Sequence, residues 1–306
     1  MKIILTGASG FLGSSLLRDL SIAGHEVIGL TRMDADLMSL DQIRDQFSKH
    51  QPDAVVHAAG LVGGIQANIA HNYEFLLNNT MIGFNLVAAA LEFKIQNFLN
   101  FSSSCVYPPE GKQPFLESQI LTGSLERTNE GYALAKINVQ KLLGFASKQF
   151  ELNFKTIIPS NLYGPGDNFN PDSSHMLAAA IMKVKNARDS GQSSVKIWGD
   201  GSARREFTFI GDLTEWVSRE AVNVLAALPE SLNVGCGEDY SIKEFYETVA
   251  EVLGFNGGFE FDVNQPSGMK RKIMDSSAAA AFGWQSQTTL PDGIRLTAKW
   301  MEQNVK

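Results

Sequence analysis

Tyr132 and Lys136 are the residues of this chain whose types and spacing suggest chemistry most directly. They lie four positions apart at the start of a predicted helix, which places both side chains on one helix face. An ammonium group beside a phenol favours the phenolate, so we expect Lys136 to lower the pKa of Tyr132 from its reference value of about 10. Such a tyrosine can exchange a proton with a carbonyl or hydroxyl group near neutral pH.

Ser103 is placed to assist the same chemistry. It follows a predicted strand over residues 97–101, at the carboxyl edge where open α/β sheets bind ligands. A serine hydroxyl at that edge can hydrogen-bond the oxygen with which the tyrosine exchanges its proton. Together the serine, the tyrosine and the lysine predict proton transfer to or from a carbonyl or alcohol oxygen.

Cys105 and His175 add a thiol and an imidazole. Such a pair is suited to moving protons on a carbon next to a ketone, because epimerisation needs a base on one side and an acid on the other. Taken singly, each residue has a plain structural alternative. Cys105 could be a buried core residue, and His175 could cap a helix or lie in solvent. The sequence leaves both interpretations open.

The first thirty residues predict the elements that must position this chemistry. An apolar strand over residues 3–5 runs into Gly7, Gly10 and Gly13, and a helix and a second strand over residues 27–30 follow. Glycines at such a turn let the backbone approach a pyrophosphate, and the positive end of the helix receives the phosphates. This unit predicts a dinucleotide site. Arg32, after the second strand, favours NADP over NAD because a basic residue there can bind the 2′-phosphate.

Strands and helices continue to alternate downstream. Further strands are predicted over residues 54–57, 97–101 and 156–158, with helices over about 76–94 and 133–148, which indicates a doubly wound, mostly parallel α/β sheet of the Rossmann type. Turn-forming residues after Tyr163 break the alternation, and a helix is predicted over residues 212–228. We therefore predict a cofactor domain over residues 1–163, with 204–237 returning to it, and a smaller C-terminal substrate lobe over 164–203 and 238–306.

Composition limits the function classes. The chain has 306 residues, a net charge of −7 and two cysteines, which argues against nucleic acid as a partner and against a disulfide framework. No apolar run approaches the ~18 residues of a membrane span, and no signal sequence is recognisable. We expect a cytoplasmic protein without a metal site. Because the chain is acidic, an anionic substrate needs a local cluster of basic residues.

The motifs resemble those of the extended short-chain dehydrogenase/reductase superfamily. Five strings bring the chain closer to one of its families, the GDP-L-fucose synthases, which act as 3,5-epimerases and 4-reductases. The strings cover residues 103–108, 128–130, 161–165, 167–169 and 205–207. The similarity runs through nearly the whole chain.

The resemblance implies a role for each candidate residue. Ser103, Tyr132 and Lys136 would form the reductase triad, with Tyr132 protonating the C4 oxygen of a GDP-linked 4-keto-6-deoxy sugar. Cys105 would be the base and His175 the acid of epimerisation at C3 and C5. It also implies NADP(H) as cofactor and a homodimer, for which the apolar helix around residues 81–93 is a candidate face.

The resemblance further implies two sets of binding residues. The cofactor would be bound by Gly7, Ala8, Ser9, Gly10, Phe11, Leu12, Gly13, Arg32, Phe101, Ser102, Ser103, Ser104, Lys136, Pro159, Ser160, Asn161, Leu162 and His175. The sugar nucleotide would be bound by Lys183, Trp198, Arg205, Arg271 and Lys272. Trp198 would lie by the guanine, with a core aromatic as its alternative, and the basic residues would neutralise the pyrophosphate.

Departures from the family pattern leave the sugar open. Gly131 stands where the family has a bulkier residue or proline, Gly166 where a histidine is common, and Ser267 where an aspartate is usual. Another GDP-linked 4-keto sugar, for example a heptose, or a single epimerisation is therefore an alternative. A sugar-nucleotide 4-epimerase or dehydratase has no use for Cys105 and His175. A non-catalytic NADP-binding regulator is disfavoured by the intact triad.

Overall fold

A computed structural model describes residues 1–170, 174–264 and 268–305 of the chain. Ser267 lies outside these ranges. The strands are β1 (Lys2–Thr6), β2 (Glu26–Leu30), β3 (Ala54–His57), β4 (Asn97–Phe101), β5 (Asn153–Pro159), β6 (Asn161–Tyr163), β7 (Ser194–Trp198), β8 (Arg204–Phe209), β9 (Ser231–Val234), β10 (Asp239–Ser241), β11 (Gly258–Asp262) and β12 (Arg271–Lys272). The helices are α1 (Phe11–Ile22), α2 (Leu40–His50), α3 (Ile65–Ala70), α4 (Asn72–Glu92), α5 (Glu130–Phe150), α6 (Met176–Asp189), α7 (Ile210–Arg219), α8 (Ile242–Leu253), α9 (Ser277–Ala280) and α10 (Leu290–Asn304).

The central sheet has six parallel strands in the order β2-β1-β3-β4-β5-β9. Both faces are covered, so alternate residues of one strand enter different cores. Ile3 and Leu5 pack with α1 and α7, whereas Ile4 packs on the side of α2, α4 and α5. This is the predicted doubly wound fold, and its strand order reverses between β1 and β3. Ligands of such sheets bind at the carboxyl ends beside that reversal.

A second core lies outside the central sheet. It is formed by α6, α8, α10 and by β7, which pairs in parallel with β11. A further small sheet joins β10, β8 and β12, with β6 beside β8. β8 therefore pairs both with β6, which follows β5, and with β12.

The predicted helix over residues 212–228 is wrong in its second half. α7 ends at Arg219 and is followed by two short turns, Ala221–Asn223 and Leu225–Ala227. Ala221, Val222, Leu225 and Leu228 are all buried against the central sheet. Their spacing is that of one helix face, which explains why the sequence pattern predicts a longer helix than the chain forms.

Among the described residues, α4 alone is long and apolar enough to cross a membrane by length and composition. The sequence expectation that no segment would be so apolar therefore does not hold for this helix. One such helix is weak evidence, because the core helix of a soluble fold passes the same test. Its apolar residues serve two faces: Leu86 and Val87 are buried in the core beside α5, while Leu77 and Met81 are exposed.

Candidate active site

A cavity of about 940 Å³ opens at the carboxyl ends of the central strands. It is lined by fifteen of the predicted cofactor residues, namely Gly7, Ser9, Gly10, Phe11, Leu12, Arg32, Phe101, Ser102, Ser103, Lys136, Pro159, Ser160, Asn161, Leu162 and His175. Ala8, Gly13 and Ser104 are buried and do not line it. Tyr132 lines the same cavity, so the structure brings the glycine turn and the triad together.

The glycine turn fits the phosphates of a dinucleotide. Gly7 has a φ of +74°, and a Cβ on it would lie 2.7 Å from the Cα of Ala59. A Cβ on Gly13 would lie 1.9 Å from the carbonyl oxygen of Gly7, so the first turn of α1 packs directly on β1. Gly10 caps α1 without a side-chain hydrogen bond, which leaves first-turn N–H groups at the cavity edge for an anion.

Arg32 is exposed and lines the cavity beside Thr31 and Met33. The acidic residues that follow are engaged locally: Asp34 accepts from the N–H and hydroxyl of Thr31 at 2.8 and 2.7 Å, and Asp36 accepts from the N–H of Met38 at 2.9 Å. Arg32 is thus a cation at the position where a 2′-phosphate would lie.

The triad side chains meet where β4 ends and α5 begins. The Nζ of Lys136 donates to the carbonyl oxygen of Phe101 at 3.0 Å and lies 5.6 Å from the ring centroid of Tyr132. The side chain of Ser103 hydrogen-bonds the Tyr132 phenol. Burial lowers the pKa of Lys136 to about 8.

The expected direction of the Tyr132 pKa is wrong for the structure as it stands. Burial raises that pKa, the charge of Cys105 adds to the rise, and Ser103 only partly opposes it. The ammonium of Lys136 is bonded to the Phe101 carbonyl and faces the ring. Its charge does not outweigh the effect of burial on the phenol. The protonated phenol is a donor, which suits the reducing direction.

Cys105 lies in a short turn, Ser104–Val106, that directly follows Ser103. It packs in the apolar cluster of Val106 and Tyr107, as the plain alternative proposes, but it also lies close enough to the triad to interact with it. Burial raises the pKa of its thiol, whereas Ser103 and the charges of Lys272 and Lys136 lower it.

His175 precedes α6 and lines the cavity. Its side chain makes no capping hydrogen bond, so the helix-capping alternative does not describe it. Burial lowers its pKa, and the charge of Lys272 lowers it further, which favours the neutral imidazole. Lys272 thus acts electrostatically on both the thiol of Cys105 and the imidazole of His175.

Two predicted substrate residues form a basic pair on neighbouring strands. Arg205 of β8 is the register partner of Lys272 of β12. The Nζ of Lys272 donates to Asn161 Oδ1 at 3.3 Å, which ties this pair to the edge of the cavity. Burial and then the charge of Arg205 lower the pKa of Lys272 to about 8, and burial lowers that of Arg205 to about 10. Two desolvated cations side by side favour a bound anion.

The other three predicted substrate residues differ in their surroundings. Arg271 is exposed and is already paired, since its guanidinium donates to Asp239 at 2.6 and 3.1 Å. The Nζ of Lys183 lies 5.4 Å from the ring centroid of Trp198. Trp198 is 43% exposed, so it is not a core aromatic. None of the five predicted substrate residues belongs to the lining of the 940 Å³ cavity.

Sequence reasoning gave no role to Asp167, which also lines the cavity. Its Oδ1 accepts from the N–H of Asn168 at 2.7 Å, and its buried Oδ2 has no hydrogen-bond partner among the residues that the structure describes. Burial raises its pKa to about 7. The only signal was its place in the 167–169 string, which marks a position without indicating burial. No group of three or more potential metal ligands occurs in residues 1–170, 174–264 and 268–305.

Comparison with known proteins gives the chain its family. Residues 3–235 match the model of the NAD dependent epimerase/dehydratase family. The chain is 42% identical to GDP-L-colitose synthase of Yersinia pseudotuberculosis, over 98% of this chain and 97% of that protein. It is also 42% identical to GDP-L-fucose synthase of Azorhizobium caulinodans, over 98% and 96%. Among solved structures, GDP-mannoheptose C4 reductase from Campylobacter jejuni with NADP bound superposes with a TM-score of 0.89 at 28% identity, covering 98% of both chains.

Proposed function

The chain belongs to the NAD dependent epimerase/dehydratase family, and on that premise we propose that it is an NADPH-dependent epimerase and reductase. Its substrate would be GDP-4-keto-6-deoxy-D-mannose and its product GDP-L-fucose. One observation carries the proposal: the reductase triad and His175 line one cavity, Cys105 contacts Ser103 of that triad, and Lys272 influences both Cys105 and His175. A simple 4-epimerase or dehydratase needs no such pair, and a non-catalytic regulator needs no triad.

The reduction uses Tyr132 as the proton donor. Bound NADPH would supply the hydride for C4 of the sugar. The phenol of Tyr132, kept protonated by burial, gives its proton to the C4 oxygen, while Ser103 hydrogen-bonds the same oxygen. Lys136, held by the Phe101 carbonyl, supplies the positive charge that stabilises the phenolate left behind.

The epimerisations use Cys105 and His175 on the carbons that flank the ketone. The thiolate of Cys105 would take a proton from C3 or C5. His175, neutral at rest, would first take up a proton from solvent and then donate it from the opposite side. Hydrogen bonds from Ser103 and Tyr132 would stabilise the enolate oxygen. Burial raises the pKa of the thiol, and Ser103 and the charges of Lys272 and Lys136 partly oppose that rise.

The nucleotide part of the substrate would be bound by the predicted basic and aromatic residues. Arg205 and Lys272 are suited to the pyrophosphate because both are cations in a desolvated setting. Trp198 is exposed, with the Nζ of Lys183 over its ring, and it offers an aromatic surface on which the guanine can stack. Arg271 would act mainly by holding β12 in place through Asp239.

A second candidate substrate follows from the relative that makes GDP-L-colitose. L-Colitose is the 3-deoxy counterpart of L-fucose, so its precursor has one stereocentre fewer to invert. The GDP-heptose reductases among the similar structures suggest a third series. We would follow NADPH oxidation with the 6-deoxy, the 3,6-dideoxy and the heptose 4-keto sugars. The highest kcat/KM with the 6-deoxy sugar supports the proposal, and oxidation with none of them overturns it.

Replacing Arg32 with alanine is expected to weaken NADPH binding selectively. Loss of a charge-assisted hydrogen bond of about 1.5–3 kcal/mol corresponds to about a 10- to 100-fold rise in Kd. The Kd for NADH, which has no 2′-phosphate, is expected to stay within about twofold. Fluorescence titration with both cofactors measures the two values. An equal loss for both would assign Arg32 a general role in folding the turn.

We further propose a homodimer in the cytoplasm, without a membrane or nucleic-acid partner. On α4 an apolar row of Tyr73, Leu77, Met81 and Phe84 is 70%, 39%, 37% and 38% exposed. Two copies of this row could bury each other and so explain the apolar outer face of α4. The negative net charge disfavours nucleic acid.

The double variant Leu77→Glu/Met81→Glu is expected to be a monomer in light scattering coupled to size exclusion, because two charges would be buried at the contact. Ile22→Glu, at an apolar residue of α1 that is 72% exposed, is the control and should remain dimeric. A wild-type monomer would contradict the proposal.

A further inference from the structure

The N-terminus of α5 is capped by a residue from a different helix. The N–H of Gly131, in the first turn of α5, donates to the Oδ1 of Asn72 at 2.9 Å, across 59 residues of sequence. First-turn N–H groups have no acceptor within their own helix. Asn129, the residue that could cap α5 locally, makes no side-chain capping bond. Asn72 therefore supplies, from another helix, the acceptor that most helices obtain from their own N-cap residue.

Only glycine at position 131 permits this contact. A Cβ there would lie 2.2 Å from the backbone oxygen of Asn72 and 2.9 Å from its Oδ1. A proline would also lack the N–H that Asn72 accepts. Gly131 and Asn72 thus form a matched pair.

The first two turns of α4, which begin with Asn72, also contact the surroundings of the reductase triad. Phe75 meets the ring of Tyr132 edge-on, with centroids 6.0 Å apart. Asn79 accepts from the N–H of Leu61 at 2.7 Å and donates to its carbonyl at 3.0 Å. Gly60, next to Leu61, lies so close to Lys136 that a Cβ on it would be 3.7 Å from the Nζ. The start of α4 thus contacts the surroundings of both Tyr132 and Lys136.

We propose that Asn72 is a positioning residue for the reduction, which holds the first turn of α5 and thereby the phenol of Tyr132. Tyr132 directly follows Gly131, so a tilt of this turn moves the phenolic oxygen at the end of a long side chain. The inference rests on the proposed function. Misplacing a reacting group by about 1 Å can cost about 10²-fold in rate. Cys105 and His175 lie on other elements, so Asn72 should influence their proton transfers only weakly, through the hydrogen bond from Tyr132 to the enolate oxygen.

The test compares Asn72→Ala, Asn72→Asp and Glu74→Ala, an exposed control on the same helix. Each is assayed with GDP-4-keto-6-deoxy-D-mannose for NADPH oxidation and, without NADPH, for deuterium exchange at C3 and C5. Asn72→Ala should lower kcat for reduction about 10- to 100-fold with KM nearly unchanged. It should slow deuterium exchange at C3 and C5 much less, because only one hydrogen bond to the enolate oxygen is disturbed. Asn72→Asp keeps an acceptor oxygen and should recover most of the rate. Glu74→Ala should behave as wild type.

Amide hydrogen exchange over residues 130–136 is measured on the same samples as a readout without substrate. It should accelerate in Asn72→Ala but not in Asn72→Asp. Three results would each overturn the positioning role. Asn72→Ala could reduce the substrate at the wild-type rate, or it could lose reduction and C3/C5 deuterium exchange equally. Its amide exchange over residues 130–136 could also be unchanged. A wild-type protein that neither reduces nor exchanges overturns the proposed function instead, while the amide readout still decides whether Asn72 holds the turn.

Discussion

Tyr132→Phe is expected to lower kcat for NADPH oxidation by about 10²- to 10⁴-fold, the usual contribution of a positioned proton donor. Without the phenolic oxygen, the C4 oxygen would receive its proton only from solvent. Substrate and NADPH should bind with nearly unchanged Kd, because Lys136 remains anchored to the Phe101 carbonyl and the glycine turn is untouched. Stopped-flow absorbance measures the rate, and titration measures the two Kd values.

A control variant and a second readout make this prediction specific. Tyr73→Phe removes a hydroxyl from a tyrosine that is 70% exposed on α4, and it should retain wild-type rates. Deuterium exchange at C3 and C5 should persist in Tyr132→Phe, although slowed by the loss of one hydrogen bond to the enolate oxygen. A Tyr132→Phe enzyme that oxidises NADPH at the wild-type rate would exclude the phenol as proton donor.

Cys105→Ser is expected to reduce deuterium exchange at C3 and C5 by about 10²- to 10⁴-fold. A serine hydroxyl ionises far less readily than a thiol, so the charges of Lys272 and Lys136 no longer suffice to supply a base. NADPH oxidation should continue at a reduced rate and yield sugar that is not inverted at C3 and C5. NMR of the product in D₂O reports both effects in one sample.

Cys236→Ser is the matched control for this variant. Cys236 is half-buried, and its thiol bonds the carbonyl of Glu238, outside the residues that line the cavity. Its replacement should leave exchange and reduction unchanged. Undiminished exchange in Cys105→Ser would remove Cys105 from the mechanism and leave its packing with Val106 as its whole role.

The parts of the fold that follow from local pattern could be predicted. The unit of β1, α1 and β2 and the later parallel strands are set by apolar periodicity and by glycines adjacent in sequence. The proximity of Ser103 and Tyr132 could also be predicted, because the functional residues of an open α/β sheet gather at the carboxyl edge of its strands. The end of α7 at Arg219 was missed because residues 221, 222, 225 and 228 keep the apolar spacing of a helix face although the chain forms two short turns there.

What could not be predicted depends on partners distant in sequence. The direction of the Tyr132 pKa depends on how deeply the fold buries the phenol, which spacing to Lys136 does not reveal. Glu206 is buried and accepts from the N–H groups of Gly237 and Met274, so it ties three segments together behind the basic pair. Such contacts leave no periodic signal in the chain.

The most direct test of the central claim is one reaction of the wild-type protein with GDP-4-keto-6-deoxy-D-mannose and NADPH in D₂O. Absorbance follows the cofactor, and NMR locates deuterium in the product. The account predicts one NADPH consumed for each GDP-L-fucose formed, with deuterium at both C3 and C5. Complete NADPH consumption with no deuterium at either carbon would contradict it, because the triad would then act without the thiol–imidazole pair.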